Sequence, residues 1–244
     1  ENAVEKEYQN LAEMLGRQWK NARQEARCQI SEANRYYIRW SHQIKTPIAA
    51  LRLLLEEEEP DRAAMEGEIY RIEQYVEFAL QYQRLEGGHK DLVFAHYSLE
   101  SIVKKALKKT GVLFRRTKLA LELGNLQTDV LTDEKWLVFV LEQVLTNAVK
   151  YTRKGKISIY LDSEKEKTLV VEDTGMGIRP EDLPRIFEWG YTGYNGRIKN
   201  RATGIGLALC RQTMEMLGHR ISAKSEPGKG TSVHMVRRLG NQEG

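Results

Sequence analysis

Only two cysteines occur in the 244 residues, Cys28 and Cys210, and neither has a second cysteine or a histidine at metal-site or redox-motif spacing. That excludes a disulfide framework and a zinc cluster, and it fits a reducing, cytoplasmic setting. His89, His96, His219 and His234 lack such neighbours too and read as structural or surface residues. No apolar run approaches the ~18 residues of a membrane span, and the opening ENAVEKEYQN has no signal-peptide character. The chain is expected to be soluble as it stands and fits a piece cut from something longer. An excess of one charge is also missing: 38 basic residues are interleaved with 34 acidic ones for a net charge of +4. The basic residues are not striped with aromatics, so no nucleic-acid partner is expected. There is no GxxxxGKS/T loop and no protein-kinase glycine loop before a VAIK-like strand, which excludes the two commonest nucleotide cradles. What remains is a charge-rich globular chain, 41% hydrophobic and 30% charged, long enough for one or two domains.

From Val4 to Leu55 bulky or apolar residues recur at steps of three or four, among them Tyr8, Leu11, Leu15, Trp19, Ile44, Ile48 and Leu51. This is the helical period. One helix of about fifty residues far exceeds the usual length, so its stripe is expected to face partner helices. EEEEPD at 56–61 ends it. A second stripe, Met65, Ile69, Ile72, Val76 and Leu80, predicts a second helix that breaks at Gly87 and Gly88. Such a hairpin exposes apolar surface unless it doubles up, and a homodimeric four-helix bundle is the economical arrangement. Beyond the glycines the pattern turns to α/β. It predicts a helix over Ser98 to Lys109, a strand over Lys118 to Leu123 and a helix over Thr132 to Tyr151 with Thr132 as its N-cap. Strands over 156–161 and 167–173, a helix near 204–217 and a last strand near 231–237 follow. This order predicts an α/β sandwich with helices on one face of a mixed sheet. The expected division is a helical dimerisation region over 1–88 and an α/β domain over 89–244.

Residues 41–47 read SHQIKTP. Proline in a helix interior removes the hydrogen bond to the carbonyl four residues back, here that of Gln43, at a cost of about 3 kcal/mol. Beside a titratable imidazole this reads either as a distortion with a use or as a tolerated kink. At about 100° per residue, His42 lies about 155° from the centre of the apolar stripe. The imidazole is therefore expected to project into solvent, with Thr46 one turn later on the same side. That argues against a core histidine, although a plain solvated one has the same geometry. A neutral imidazole offers an unprotonated ring nitrogen near neutral pH.

Four further segments stand out, in order: NAVKYT (147–152), DTGMGI (173–178), FEWGYTG (187–193) and TGIGLAL (203–209). Asn147 offers an amide oxygen suited to a hard cation. Lys150 can reach a phosphate as a point charge. Asp173 ends an apolar strand, where a carboxylate packs poorly but meets a base edge well, and Gly175 and Gly177 permit a close backbone turn. Gly204 and Gly206 precede an apolar helix whose start can hold phosphate oxygens.

HQIKTP resembles the phosphoacceptor box of bacterial two-component sensor histidine kinases. The four later segments resemble the N, G1, F and G2 boxes of the ATP-binding fold those kinases share with gyrase, mismatch-repair and heat-shock chaperone ATPases. The resemblance implies that His42 accepts the γ-phosphoryl of ATP and passes it to an aspartate of a response regulator receiver domain. It implies Asn147 as a ligand of Mg²⁺, Lys150 and Tyr151 at the nucleotide, Asp173 as acceptor for the adenine amino group, and Gly175 and Gly177 as the turn beside it. Gly204, Gly206 and Leu207 would hold phosphates, and Thr231 would assist at the adenine. Between Phe187 and Gly204 the bases Arg197, Lys199 and Arg201 are candidates for the γ-phosphate, in what resembles a lid. Thr46 would hold a water for dephosphorylating the regulator, or merely bond its own helix backbone. Gln43 departs from the family, most of whose members carry a carboxylate there, and an amide cannot act as a base at neutral pH.

YYIRWSHQIKTPIAALRLLL and TDEKWLVFVLEQVLTNAVKYT resemble the intramembrane-sensing kinases of Gram-positive bacteria that respond to cell-envelope stress and antimicrobial peptides. That resemblance implies anchoring by upstream membrane helices and a membrane transporter as sensing partner. Two other readings stay open: a dimeric scaffold that binds ATP without catalysis, and an ATP hydrolase of the gyrase or chaperone type.

Overall fold

A computed structural model describes residues 3–57, 59, 61–86, 92–115, 117–163, 168–194 and 204–236. The chain forms two units, Glu1–Thr46 and Pro47–Gly244. The domain boundary expected after residue 88 falls among residues 87–91, outside the described ones.

The first helix, α1, runs over Ala3–Leu55 with Pro47 inside it, as the three-to-four spacing predicts. Pro47 does not interrupt the helix. In the first unit the stripe residues Tyr8, Leu11, Leu15 and Trp19 are exposed, and the Arg23 guanidinium lies 5.2 Å from the centre of the Trp19 ring.

In the second unit, α2 spans Arg62–Glu86 and is capped by Asp61, whose Oδ1 accepts from the Ala64 N–H at 2.9 Å. A two-stranded antiparallel ladder joins β1 (Ala95–Ser98) to β3 (Asp129–Thr132). The main sheet has the order β2-β4-β5-β7-β6, with β2 Ala120–Leu123, β4 Lys156–Leu161, β5 Thr168–Asp173, β6 Arg220–Glu226 and β7 Gly230–Val236. Its β2–β4 pair is parallel and the others antiparallel, so the sheet is mixed as predicted. Helices α3 (Leu99–Arg115), α4 (Glu134–Tyr151) and α5 (Gly206–Met216) belong to the α/β domain.

The α4 helix is the centre of the core. It packs against α3, α5 and β5, and it is buried continuously from Trp136 to Leu145 because no side of it faces water. Burying a side chain the size of Phe139, Leu141 or Leu145 contributes about 1.5–3 kcal/mol each. The α2 helix packs on α3 and α5 and also reaches α4, where Phe78 meets Phe139 edge-to-face at 6.2 Å.

Several boundaries differ from the sequence reading. Thr132 does not cap α4: it ends β3, paired with Ala95, and is buried with its hydroxyl 3.3 Å from His219 Nε2. Asp133 is the cap, its Oδ1 accepting from the N–H groups of Lys135 and Trp136 and its Oδ2 from that of Val93 at 2.9 Å. Either residue type suits a cap, and the β1–β3 ladder decides between them. The strand expected from Lys118 begins at Ala120, and α3 continues past Lys109 to Arg115. β1, β3 and β6 were not predicted. The first two are four residues long, and RISAKSE in β6 is an edge strand with one bulky apolar residue.

Polar groups line the seam of α2, α3 and α4. Gln143 Nε2 donates to Gln74 Oε1 at 2.6 Å, Tyr70 and Thr146 hydroxyls meet at 3.3 Å, and Gln81 Nε2 donates to Glu77. Glu142, 1% exposed, pairs with Lys109 Nζ at 2.8 Å. Burial, with help from the Glu77 carboxylate, pushes its carboxyl from 4.5 up to about 7, against the pull of Lys109 and Gln74.

The folded chain thus holds this proton more tightly than the unfolded one. The stability it contributes is full below about pH 4.5 and is lost as pH rises through about 7, by up to about 3 kcal/mol. Melting curves of the unsubstituted chain and Glu142→Gln, taken from pH 5 to pH 8, should therefore diverge. The Tm of the unsubstituted chain should fall relative to the variant by several degrees, about 2–4 °C per kcal/mol at this size. A Tm difference that stays constant across the range contradicts the assignment.

Candidate functional site

Alternation along β5 decides where its last carboxylate points. Leu169 and Val171 pair with Leu161 and Ile159 of β4 and with Met235 and Val233 of β7, and these side chains share one face of the sheet. The same parity brings Asp173 onto that face, opposite Ile157 and Thr231. A position that packing would give to a hydrophobe is occupied by a buried acid.

Its oxygens are supplied with donors from three segments. Asp173 Oδ1 accepts from the Gly175 N–H at 2.8 Å and from the Thr152 hydroxyl at 3.4 Å, and the Thr231 N–H also bonds the carboxylate. Burial pushes this carboxyl above its usual range, and the three donors oppose that rise. Thr152 is the C-cap of α4, so the donor that reaches Asp173 is fixed by the helix end. Gly175 is sterically required here. A Cβ on it would lie 2.7 Å from Asp173 Oδ1, 2.7 Å from the Tyr151 carbonyl and 2.8 Å from the Thr152 hydroxyl.

The loop that follows is stitched to the β6–β7 hairpin. Ile178 N–H donates to Ser225 Oγ at 2.8 Å, Gly228 N–H donates to the Met176 carbonyl at 2.9 Å, and Ser225 Oγ meets Thr231 Oγ1 at 2.9 Å. Gly177 sits between these bonds at φ 69°.

On α4, Asn147 and Lys150 are half-buried, one turn or less before Tyr151, and Lys150 Nζ lies 5.1 Å from the centre of the Tyr151 ring. Gly206 opens α5 against the same helix: a Cβ there would be 3.3 Å from Gln143 Oε1 and 3.6 Å from Phe78. Gln143 precedes Asn147 by one turn. The fold therefore brings the start of α5, with Gly204, Gly206 and Leu207, beside the helix that carries Asn147 and Lys150. Asp173, Gly175, Thr231 and the end of α4 are joined directly by the bonds above.

His42, Gln43 and Thr46 lie on α1 in the first unit, where His42 and Thr46 are exposed and Gln43 is half-buried. Lys199, with Arg197 and Arg201, lies outside the described residues. Thr152 and Ser225 were not singled out from sequence. Thr152 closes the NAVKYT segment and could have been found there, whereas nothing near Ser225 marks it before the hairpin is folded.

A nucleotide fits these residues in two respects. A buried carboxylate at a strand end, kept as an acceptor by N–H groups, suits the donor edge of a base, and the helix start at Gly206 suits an anion. Among the described residues no group of three His, Cys, Asp or Glu side chains could hold a metal by itself. An ion at Asn147 would draw its other oxygens from phosphates and water.

Residues 132–240 match the model of the histidine kinase-, DNA gyrase B- and HSP90-like ATPases. The chain is 34% identical over 204 residues to the sensor histidine kinase YxdK of Bacillus subtilis, covering 81% of this chain and 62% of that protein. It is 37% identical over 200 residues to the sensor protein BceS of Halalkalibacterium halodurans, covering 81% and 60%. It thus spans about three fifths of the length of these relatives. In fold it resembles the Acinetobacter baumannii histidine kinase AdeS, with a TM-score of 0.58 and 23% identity over 82% of this chain and 98% of that one. The box order, the Asp173 site and these relatives agree: residues 132–240 form a domain of the histidine kinase-, DNA gyrase B- and HSP90-like ATPase family, and over four fifths of its length the chain is similar to bacterial sensor histidine kinases.

Proposed function

We propose that the chain binds ATP with Mg²⁺, phosphorylates His42 and passes the phosphoryl group to an aspartate of a response regulator receiver domain. The observation that carries this reading is the buried Asp173 carboxylate, held as an acceptor at the end of an otherwise apolar register. Asp173 accepts a hydrogen bond from the adenine amino group, with Thr231 and Thr152 fixing the carboxylate. Gly204, Gly206 and Leu207 receive the phosphates at the start of α5, Lys150 and Tyr151 flank them, and Asn147 supplies one oxygen to Mg²⁺. The exposed imidazole of His42 is the nucleophile: a nitrogen–phosphorus bond forms as the bond from the γ-phosphorus to the departing ADP oxygen breaks, and the ring proton passes to water. Little covalent work falls to other residues, so positioning and charge dominate.

The exposed stripe of α1 supports a homodimer built on residues 1–88, with ATP binding assigned to 89–244. No helix of the described residues is long and apolar enough to cross a membrane. The reading includes anchoring of this region by membrane helices outside this chain and a membrane transporter as sensing partner, as the motif resemblance implies. To Thr46, exposed one turn beyond His42, we assign the holding of a water in regulator dephosphorylation.

Three measurements test this reading. Asp173→Asn should raise the ATP Kd by about tenfold or more in calorimetry, since it loses a charge-assisted hydrogen bond. An unchanged Kd removes the adenine role. With γ-labelled ATP and Mg²⁺, His42→Gln should take up no acid-labile phosphate while binding ATP normally. Stoichiometric label in that variant would assign the acceptor elsewhere, and ATP turnover without label in the unsubstituted chain would favour a hydrolase. Gln43→Glu, which restores a proton acceptor beside the imidazole, should speed autophosphorylation near neutral pH by about tenfold. A rate equal to or below that of the unsubstituted chain, at equal ATP affinity, shows that this neighbour does not limit proton removal.

A further inference from the structure

Asp182 is a buried carboxylate that none of the roles above uses. It stands at the N-cap of the short 3₁₀ turn Leu183–Arg185, yet its side chain makes no capping bond there. Both oxygens are instead turned towards the segment after the FEWG turn. Oδ1 accepts from the Tyr191 hydroxyl, and Oδ2 accepts from the Tyr194 N–H at 3.0 Å. Gly193 passes so close that a Cβ on it would lie 2.9 Å from Oδ2. Two guanidinium groups cover the same tyrosines: Arg185 lies 4.2 Å from the centre of the Tyr191 ring and Arg179 3.5 Å from that of Tyr194.

The backbone of Tyr191 is in turn the wall against which Gly204 is seated. Gly190 N–H donates to the Gly204 carbonyl at 2.8 Å. A Cβ on Gly204 would lie 2.6 Å from the Tyr191 carbonyl oxygen and 2.7 Å from its nitrogen, and Gly204 adopts φ 68°. Only glycine enters this neck without strain. Gly204 leads through buried Ile205 into Gly206, where α5 begins.

We propose that Asp182 is a positioning residue for phosphate binding: by clamping Tyr191 and Tyr194 it holds the neck that aims Gly204–Leu207 at the phosphates. The inference rests on the nucleotide reading above. It differs from the Asp173 role in kind, because Asp173 reads the base and Asp182 touches no part of the nucleotide. A carboxylate fits the task because it accepts from a hydroxyl and an N–H at once. An amide would offer one acceptor and turn its NH₂ towards the other donor.

The test separates phosphate from base. The full chain and its Asp182→Asn variant are titrated with ATP by calorimetry and with adenosine by ligand-observed NMR. Asp182→Asn should weaken ATP by about tenfold and leave adenosine unchanged, the loss expected of a hydrogen bond to a charged group. Tyr191→Phe, which removes only the hydroxyl, should weaken ATP by about threefold, less than Asp182→Asn because the Tyr194 N–H still holds the carboxylate, again without effect on adenosine. It also decides the matter if Asp182→Asn does not fold. Equal losses for ATP and adenosine, or no loss for ATP, overturn the inference while leaving the nucleotide reading intact. An unsubstituted chain that binds no ATP removes both.

Discussion

A carboxylate that leaves water must be given donors by the protein, and the donors given to Asp173 come from parts of the chain far apart in sequence. Gly175 belongs to its own loop, Thr231 to β7 and Thr152 to the end of α4. Each of these segments has its own reason to be there: ladder pairing for β7, a helix cap for Thr152, a tight turn for Gly175. The cost of burying the acid is offset only when all three arrive together. The site is therefore a consequence of the completed sandwich rather than an addition to it. It is also why Gly175 tolerates no side chain, since its Cβ would fall among the atoms that solvate the acid.

Three of the buried acids in the second unit show how environment separates roles. Asp173 is met by N–H groups and a hydroxyl, which oppose the upward push that burial gives its carboxyl. Asp182 is met by a tyrosine hydroxyl and a backbone N–H and orders a chain segment. Glu142 faces Lys109 on one side but Glu77 on another, and burial outweighs its partner, which puts its proton equilibrium near neutral pH. The seam between α2 and α4 that contains Glu142 thus responds to pH near neutrality.

The first unit follows a different logic. Its helix has a regular apolar stripe, but Tyr8, Leu11, Leu15 and Trp19 remain exposed in the single chain. A lone helix of this length gains little from local propensity, and its stability depends on covering that stripe. His42 and Thr46 are exposed on the same helix, available for chemistry because they do not take part in packing.

The long helices, the mixed sheet and the four boxes were legible because each is written in local terms. A stripe at three-to-four spacing, an apolar run ending in Asp173, and glycines before the α5 helix all carry their meaning within a few residues. Thr132 shows where such reading fails: it is a sound cap by composition, but pairing with Ala95 draws it into β3 and Asp133 becomes the cap. Ser225, Asp182 and Glu142 had no local mark at all, since an acid or a serine in a polar stretch reads as solvated until another segment covers it. The sequence by itself determined the long helices, most strands of the main sheet and the face His42 shares with Thr46, because helix and strand periods act over neighbouring residues. Only the tertiary structure decided which donors hold Asp173, what pins Gly204 and which acids lie buried, because those depend on register and helix contacts between segments tens of residues apart.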